Sequence, residues 1–320
     1  MDRRVLVSVS AAVALVVGVL AAQAPAPNIR SALIDAPAML ADLKLLSADD
    51  MEGRRIGTQG AAKARAVIEA RFKTAGLLPF GATYRHPFTT PPRRGGMPGI
   101  EGINVVGHLD GPRTPKRYIV LTAHYDHVGV RNGQVFNGAD DNASGTAALA
   151  AIAAYFRAHP LSNSLIVAAF DGEESGLLGS QAFMKSPPVD RGALAINVNL
   201  DMIGRDPANT LYAVGTTRQP WLRSHVERVA ARAPVKLLMG HDKPGSGPDD
   251  WTMDSDHWTF LQAGIPALYL GVDDEKHHHQ PTDDYESMTY GFYVAAVETA
   301  IRLIEELDAN LDQVMANRRQ

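Results

Sequence analysis

The chain has no cysteine among its 320 residues, which excludes disulfides and any metal site built from thiolates. It also lacks an excess of positive charge. Its 31 Lys and Arg stand against 35 Asp and Glu, a formal charge of −4, and leave no basic footprint for nucleic acid. Long hydrophobic runs are scarce too, and the one present is N-terminal. After Asp2, Arg3 and Arg4, residues 5–22 are apolar apart from Ser8, Ser10 and Gly18. Small residues follow at Ala21, Ala22 and Ala24. That order is the pattern of a signal peptide with an A-x-A-like cleavage site. Pro25 disfavours cutting directly after Ala24, so Ala21 or Ala22 is the expected site. An uncleaved membrane anchor is the competing reading, because a run of 18 residues nearly spans a bilayer. Cleavage would remove Asp2, Arg3 and Arg4, a net +1, moving −4 to −5. The expected destination is the periplasm or the exterior, with no stable membrane association once the signal is gone.

What remains has the composition of a globular chain with a true core, 45% hydrophobic and 21% charged. Residues 1–24 are expected to be signal peptide and cleavage region, 25–36 a linker, and 37–320 a single domain. Helices are predicted over 37–47 and 61–75, separated by the polar, Gly-rich turn Met51-Glu52-Gly53-Arg54. A Pro- and Gly-rich surface excursion covers 89–99. From Ile103 onward, short apolar runs rich in β-branched residues alternate with helical patterns. Strands are predicted at 104–106, 118–122, 165–170, 196–200, 211–214 and 267–270. Helices are predicted at 144–159, 221–231, 254–263 and 290–307, and residues 240–250 read as a loop. Continuous apolar strands alternating with helices imply an α/β fold with a largely parallel sheet covered on both faces. Ligands in such folds bind beyond the carboxyl ends of the strands.

The chemistry-bearing residues stand at those ends. His124 and Asp126 follow one strand, Glu173 and Glu174 another, and Asp201 a third. Asp140 and Asp141 open a Gly-flanked turn before a helix, and His277, His278 and His279 occupy a late loop. A His-x-Asp pair can supply an imidazole ligand and a carboxylate to orient it. Adjacent glutamates can divide metal holding from proton transfer, since like charges side by side raise at least one pKa toward neutrality. Asp201 lies among Leu200, Met202 and Ile203, where an acid needs a partner; a metal or Arg205 would serve. Asp140 or Asp141 can cap the following helix or bridge two metals. His127 reads as an outer or structural residue, and Ser255–His257 as an outer layer or pocket wall. A nitrogen/oxygen donor set without thiolates suits a hydrolytic zinc pair better than a structural zinc.

Taken together, these strings resemble the di-zinc aminopeptidases of metallopeptidase family twenty-eight, whose relatives include bacterial leucyl aminopeptidases, glutamate carboxypeptidases and glutaminyl cyclases. The resemblance runs from Met51 to Asp284. It implies a three-layer α/β/α sandwich around a mixed, twisted sheet, without a protease-associated insertion, and two Zn2+ per chain. It implies His124, Asp141 and Asp201 on one zinc and Asp141, Glu174 and His279 on the other, with Asp141 chosen over Asp140 by its distance from Gly145. His279 is chosen by Pro281 and Asp283 downstream. Glu173 becomes the general base, Asp126 orients His124, and a cis peptide is expected at Asp141–Asn142. The implied activity is removal of N-terminal residues from peptides with a free N-terminus, favoured by an anionic pocket that accepts the α-amine. A glutaminyl cyclase, a carboxypeptidase or dipeptidase, and an inactive scaffold remain as alternatives. The sequence carries no reading of oligomeric state.

Overall fold

A computed structural model describes residues 29–92 and 98–318; the N-terminal apolar run, its cleavage site and residues 25–28 of the linker lie outside the described residues. In chain order the strands are β1 (Arg85–Thr89), β2 (Glu101–Leu109), β3 (Tyr118–His124), β4 (Gly129–Arg131), β5 (Gln134–Phe136), β6 (Ser164–Phe170), β7 (Leu194–Leu200), β8 (Thr210–Val214), β9 (Lys236–Met239) and β10 (Ala267–Gly271). The helices are α1 (Ala36–Leu46), α2 (Gln59–Thr74), α3 (Gly145–Ala158), α4 (Leu178–Lys185), α5 (Arg223–Ala230), α6 (His257–Gln262), α7 (Tyr290–Ala309) and α8 (Leu311–Asn317).

The described residues form an eight-stranded mixed sheet in the order β1-β2-β6-β3-β7-β10-β8-β9, with β4 and β5 as a separate hairpin. The four central strands β6, β3, β7 and β10 run parallel, and the antiparallel pairings lie outside them. Every residue of β3, β6, β7 and β10 is buried, as a sheet covered on both faces requires. Side chains alternate between two cores. Ile119, Leu121 and Ala123 join α1, α2, α3 and α7 on one face. Tyr118, Val120, Ile166 and Phe170 meet Phe183 of α4 and Phe260 of α6 on the other. Each such fully buried large apolar side chain contributes about 1.5–3 kcal/mol.

The expected α/β/α layering holds, with local differences. Helix α2 starts at Gln59 rather than 61 because Thr58 Oγ1 accepts from Ala61 N and caps it. The helix expected at 254–263 is the shorter α6, and a separate 3-10 turn, Trp251–Met253, precedes it. Strands β1, β4, β5 and β9 and helices α4 and α8 lie outside the expected elements. β1 carries Pro87, which a strand tolerates only at an edge. β9 has just four residues and also lies at an edge.

Candidate metal centre

Because the central strands are parallel, their carboxyl ends share one rim. His124 is the last residue of β3, Asp201 follows β7, Glu173 and Glu174 follow β6, and His279 lies in the loop after β10. Asp141 reaches the rim from the turn Ala139–Ser144 that leads into α3.

Two clusters of donor atoms result, each within 4.8 Å. In one, His124 Nε2 lies 3.2 Å from Asp201 Oδ1 and 3.4 Å from Asp141 Oδ1. In the other, His279 Nε2 lies 2.9 Å from Glu174 Oε2 and 3.3 Å from Asp141 Oδ2. The His127 ring joins this second cluster, with Nδ1 2.9 Å from Glu174 Oε1 and 3.5 Å from Asp141 Oδ2. Asp141 belongs to both clusters and turns one oxygen toward each. Asp140 belongs to neither, since its Oδ1 accepts from Gly204 N at 2.7 Å. All five residues expected as metal ligands are therefore brought together, and His127 is an addition that sequence reasoning left aside. Two imidazole-bearing, carboxylate-rich clusters suit zinc. Asp141 Oδ2 and His127 Nδ1 are buried without a hydrogen-bond partner, an arrangement that a cation would satisfy.

Several devices hold these side chains. The Asp140 and Asp141 N–H groups donate to the Asp283 carboxylate at 2.9 and 3.0 Å, and Arg205 Nη2 donates to the same carboxylate at 2.6 Å. The Asp141–Asn142 peptide is cis, and Asn142 Nδ2 donates to Leu200 O at 2.9 Å. A Cβ at Gly145 would sit 2.6 Å from that same carbonyl, so the turn can approach the end of β7 only with glycine there.

Asp126 departs in one detail from its expected role. His124 Nδ1 is nearer its backbone carbonyl, at 3.1 Å, than its carboxylate, at 3.7 Å. The carboxylate instead accepts from Glu173 N at 2.9 Å. Asp126 thus fixes His124 through its main chain and the glutamate pair through its side chain.

Asp201 is held by a buried chain of hydrogen bonds whose direction follows from its acceptor end. Ser255 Oγ donates to Asp201 Oδ2 at 2.6 Å. Ser255 accepts from Asn199 Nδ2 at 2.8 Å, which turns the Asn199 carbonyl toward the Thr122 hydroxyl at 2.7 Å. Thr122 accepts in turn from Asn197 Nδ2 at 2.8 Å. The chain occupies Asp201 Oδ2 and leaves Oδ1 facing His124.

Arg54, from the Gly-rich turn, is 1% exposed and makes four hydrogen bonds to backbone carbonyls. They run from Nε to Tyr125 at 2.8 Å, from Nη1 to Leu46 and Asn137 at 2.6 Å each, and from Nη2 to Gly138 at 2.8 Å. It clamps the segment beside His124 to the segment before Asp141. Burial pulls its pKa down to about 10 against the opposing pull of Asp141 and Asp283, so it stays charged at neutral pH.

The ionisable groups divide by environment. Burial, reinforced by Asp201, Asp256 and Glu174, outweighs the opposing pull of His124 and raises the Glu173 carboxyl well above its ordinary range. Burial also pushes Asp141 upward, but His127, His124 and His279 outweigh it and hold the carboxyl well below its usual range. His279 is raised to about 10 by its bonds to Asp141 and Glu174. Without metal, protons on His124 and His279 supply the positive charge that the acids demand.

A cavity of about 630 Å³ opens over the clusters. Leu177, Met202, Trp251, Met253 and Val272 give it apolar walls, and Asp254, Asp273 and Glu275 add carboxylates; among the described residues no Lys or Arg lines it. Pro248 and Trp251 bring the loop over 240–250 to this wall, with Trp251 stacked on His241 at 3.7 Å. Arg205 is only 6% exposed and engages Asp283 and Asp274, so it offers no free guanidinium to a substrate carboxylate. His277 turns to Thr282 at 2.9 Å, and His278 stands half-exposed at the rim, 3.7 Å from Asp141 Oδ2.

Comparison with known proteins places the chain in a family. Residues 104–304 match the model of peptidase family M28. Among curated relatives, a probable zinc metalloprotease of Pyrenophora teres f. teres is 31% identical over 196 residues, spanning 57% of this chain and 39% of that protein. Aminopeptidase YwaD of Bacillus subtilis is 30% identical over 204 residues, 58% of this chain and 40% of its own length. The chain thus spans well under half the length of these two relatives. Solved structures share the fold, two of them as follows. Porphyromonas gingivalis glutaminyl cyclase has a TM-score of 0.70 at 22% identity, with 86% of this chain and 99% of that one covered. BSAP, a zinc aminopeptidase from Bacillus subtilis, has a TM-score of 0.70 at 18% identity, with 87% and 96% covered. With the family match spanning more than half of its length, the chain belongs to peptidase family M28.

Proposed function

We propose that the chain is a zinc-dependent aminopeptidase that uses two metal ions and Glu173 as general base. The observation that carries this reading is Asp141, whose two oxygens face separate donor clusters. His124, Asp141 and Asp201 would hold one zinc, and Asp141, Glu174 and His279 the other. Bound there, zinc supplies Lewis acidity, polarising a carbonyl and lowering the pKa of water.

The chain's own residues supply the rest. Glu173 lines the cavity beside both clusters, and burial makes its carboxylate a stronger base than an exposed one. It takes a proton from the attacking water and returns it to the leaving amine. Asp126 fixes Glu173 through the backbone bond at 2.9 Å. The acidic cavity accepts the cationic α-amine of a peptide, and its apolar wall accepts the first side chain. The carboxypeptidase alternative is disfavoured by the engagement of Arg205 with Asp283 and Asp274. The glutaminyl cyclase alternative draws on the fold shared with the Porphyromonas gingivalis enzyme.

Matched free and N-acetylated peptides, incubated with and without chelator and read by mass spectrometry, separate these readings. Stepwise loss of N-terminal residues from free peptides alone, abolished by chelator and restored by zinc, is the expected result. Loss of ammonia from an N-terminal Gln peptide, with other peptides intact, would instead establish the cyclase. Export through the N-terminal segment is part of the same proposal; N-terminal sequencing of the exported protein should find a start just after Ala21 or Ala22.

A further inference from the structure

We propose that His127 is a fourth protein ligand of the metal held by Asp141, Glu174 and His279, so that this site is closed while the His124 site keeps three protein ligands. The inference rests on the two-metal reading above and concerns a residue that reading does not need.

Four ligands at about 2.0–2.2 Å from a tetrahedral zinc lie roughly 3.3–3.6 Å from one another. The His127 separations of 2.9 Å from Glu174 and 3.5 Å from Asp141 match those of His279, 2.9 and 3.3 Å from the same two carboxylates. His127 therefore stands to the carboxylates as the expected ligand does. The competing role is an outer donor that orients Glu174 through an Nδ1–H bond. Against it, His127 Nδ1 has no aligned hydrogen bond despite lying 2.9 Å from the Glu174 oxygen. The Glu174 oxygen therefore lies off the Nδ1–H direction. His127 Nε2 has no partner on either reading and does not discriminate between them.

The ring has little freedom to turn away. A Cβ at Gly138 would lie 2.5 Å from His127 Cγ, so the main chain there packs directly on the imidazole. Arg54 pins that main chain through the Gly138 carbonyl at 2.8 Å. The His279 ring lies 5.7 Å away and edge-on. Structural zinc sites fill their coordination with protein ligands, whereas catalytic sites keep one position open. The closed site would retain its ion, and the His124 site would exchange ion and water.

X-ray absorption at the zinc edge of the fully loaded mature protein tests this without any substitution. Three imidazoles shared by two zinc ions are expected; two imidazoles on two zinc ions would overturn the assignment while leaving the two-metal reading intact. A wild-type protein that binds no zinc would overturn that reading itself, and this assignment with it. Zinc competition with a chelator adds a second readout. His127→Gln, checked for folding by circular dichroism, is expected to weaken one zinc by more than the roughly 10–100-fold that loss of an outer partner costs, leaving the other unchanged. A loss of about 100-fold or less would also overturn the assignment.

Discussion

Replacing Thr122 with Val tests whether the buried chain ending on Asp201 does more than fill space. Thr122 is fully buried on β3, and Val matches its shape while removing the hydroxyl. Two hydrogen bonds vanish, at 2.7 Å to Asn199 and 2.8 Å from Asn197. Asn197 Nδ2 keeps Val120 O at 3.0 Å, so its loss is partial. Asn199 Oδ1 loses the donor assigned to it, and an unsatisfied buried acceptor costs about 1–3 kcal/mol. Thr122→Ser is the control: it keeps the hydroxyl and removes one methyl, a loss of about 1 kcal/mol. Stability is read by urea unfolding of the chelated protein and metal affinity by zinc competition. Thr122→Val should weaken one zinc by about 10–100-fold, because Asn199 no longer fixes Ser255 and Ser255 no longer fixes Asp201. Thr122→Ser should leave zinc affinity near wild type despite its own stability loss. Equal zinc affinity in the two variants would refute the directional chain.

Other predictions follow from the same geometry. Arg54→Lys offers three donors where four carbonyls now accept. Urea unfolding should show a loss on the order of 1–3 kcal/mol for each carbonyl left unpaired, and no loss would contradict the clamp. In the metal-free chain, the His279 pKa of about 10 lies above the ordinary value near 6.5. The stabilisation it represents is full below about pH 6.5 and is lost as pH rises through about 10. Thermal unfolding with chelator should therefore show stability falling across that window. Zinc binding at pH 7 should also release protons from the imidazoles. Calorimetric titration in two buffers of different ionisation enthalpy would show it, and equal heats would speak against it.

Much of this was legible in the sequence, for identifiable reasons. The central strands are long apolar runs buried on both faces, and burial leaves the strongest mark on sequence. The edge elements leave a weaker one: β9 is the four-residue Lys236–Met239 and β1 contains Pro87. The separate donors at strand ends were visible because acids and histidines interrupt apolar runs there. The pairing of ligands, the preference for Asp141 over Asp140 and the cis bond came from family resemblance rather than residue pattern. His127 was out of reach, because a third side chain in a His-x-Asp-His string gives no sign of which way its ring turns. Arg54 was equally hidden in a polar turn that reads as surface. The bonds that bury it link Leu46, Tyr125, Asn137 and Gly138, which only the folded chain brings together.

Glu173→Gln tests the central claim most directly, with zinc content and peptide turnover measured on one preparation. Gln keeps the shape of Glu173 but cannot take a proton from water. Zinc content should match wild type, while kcat on a free peptide should fall by about 10²–10⁴-fold. A variant that holds its zinc and turns over at near the wild-type rate would contradict the assignment of Glu173 as the base.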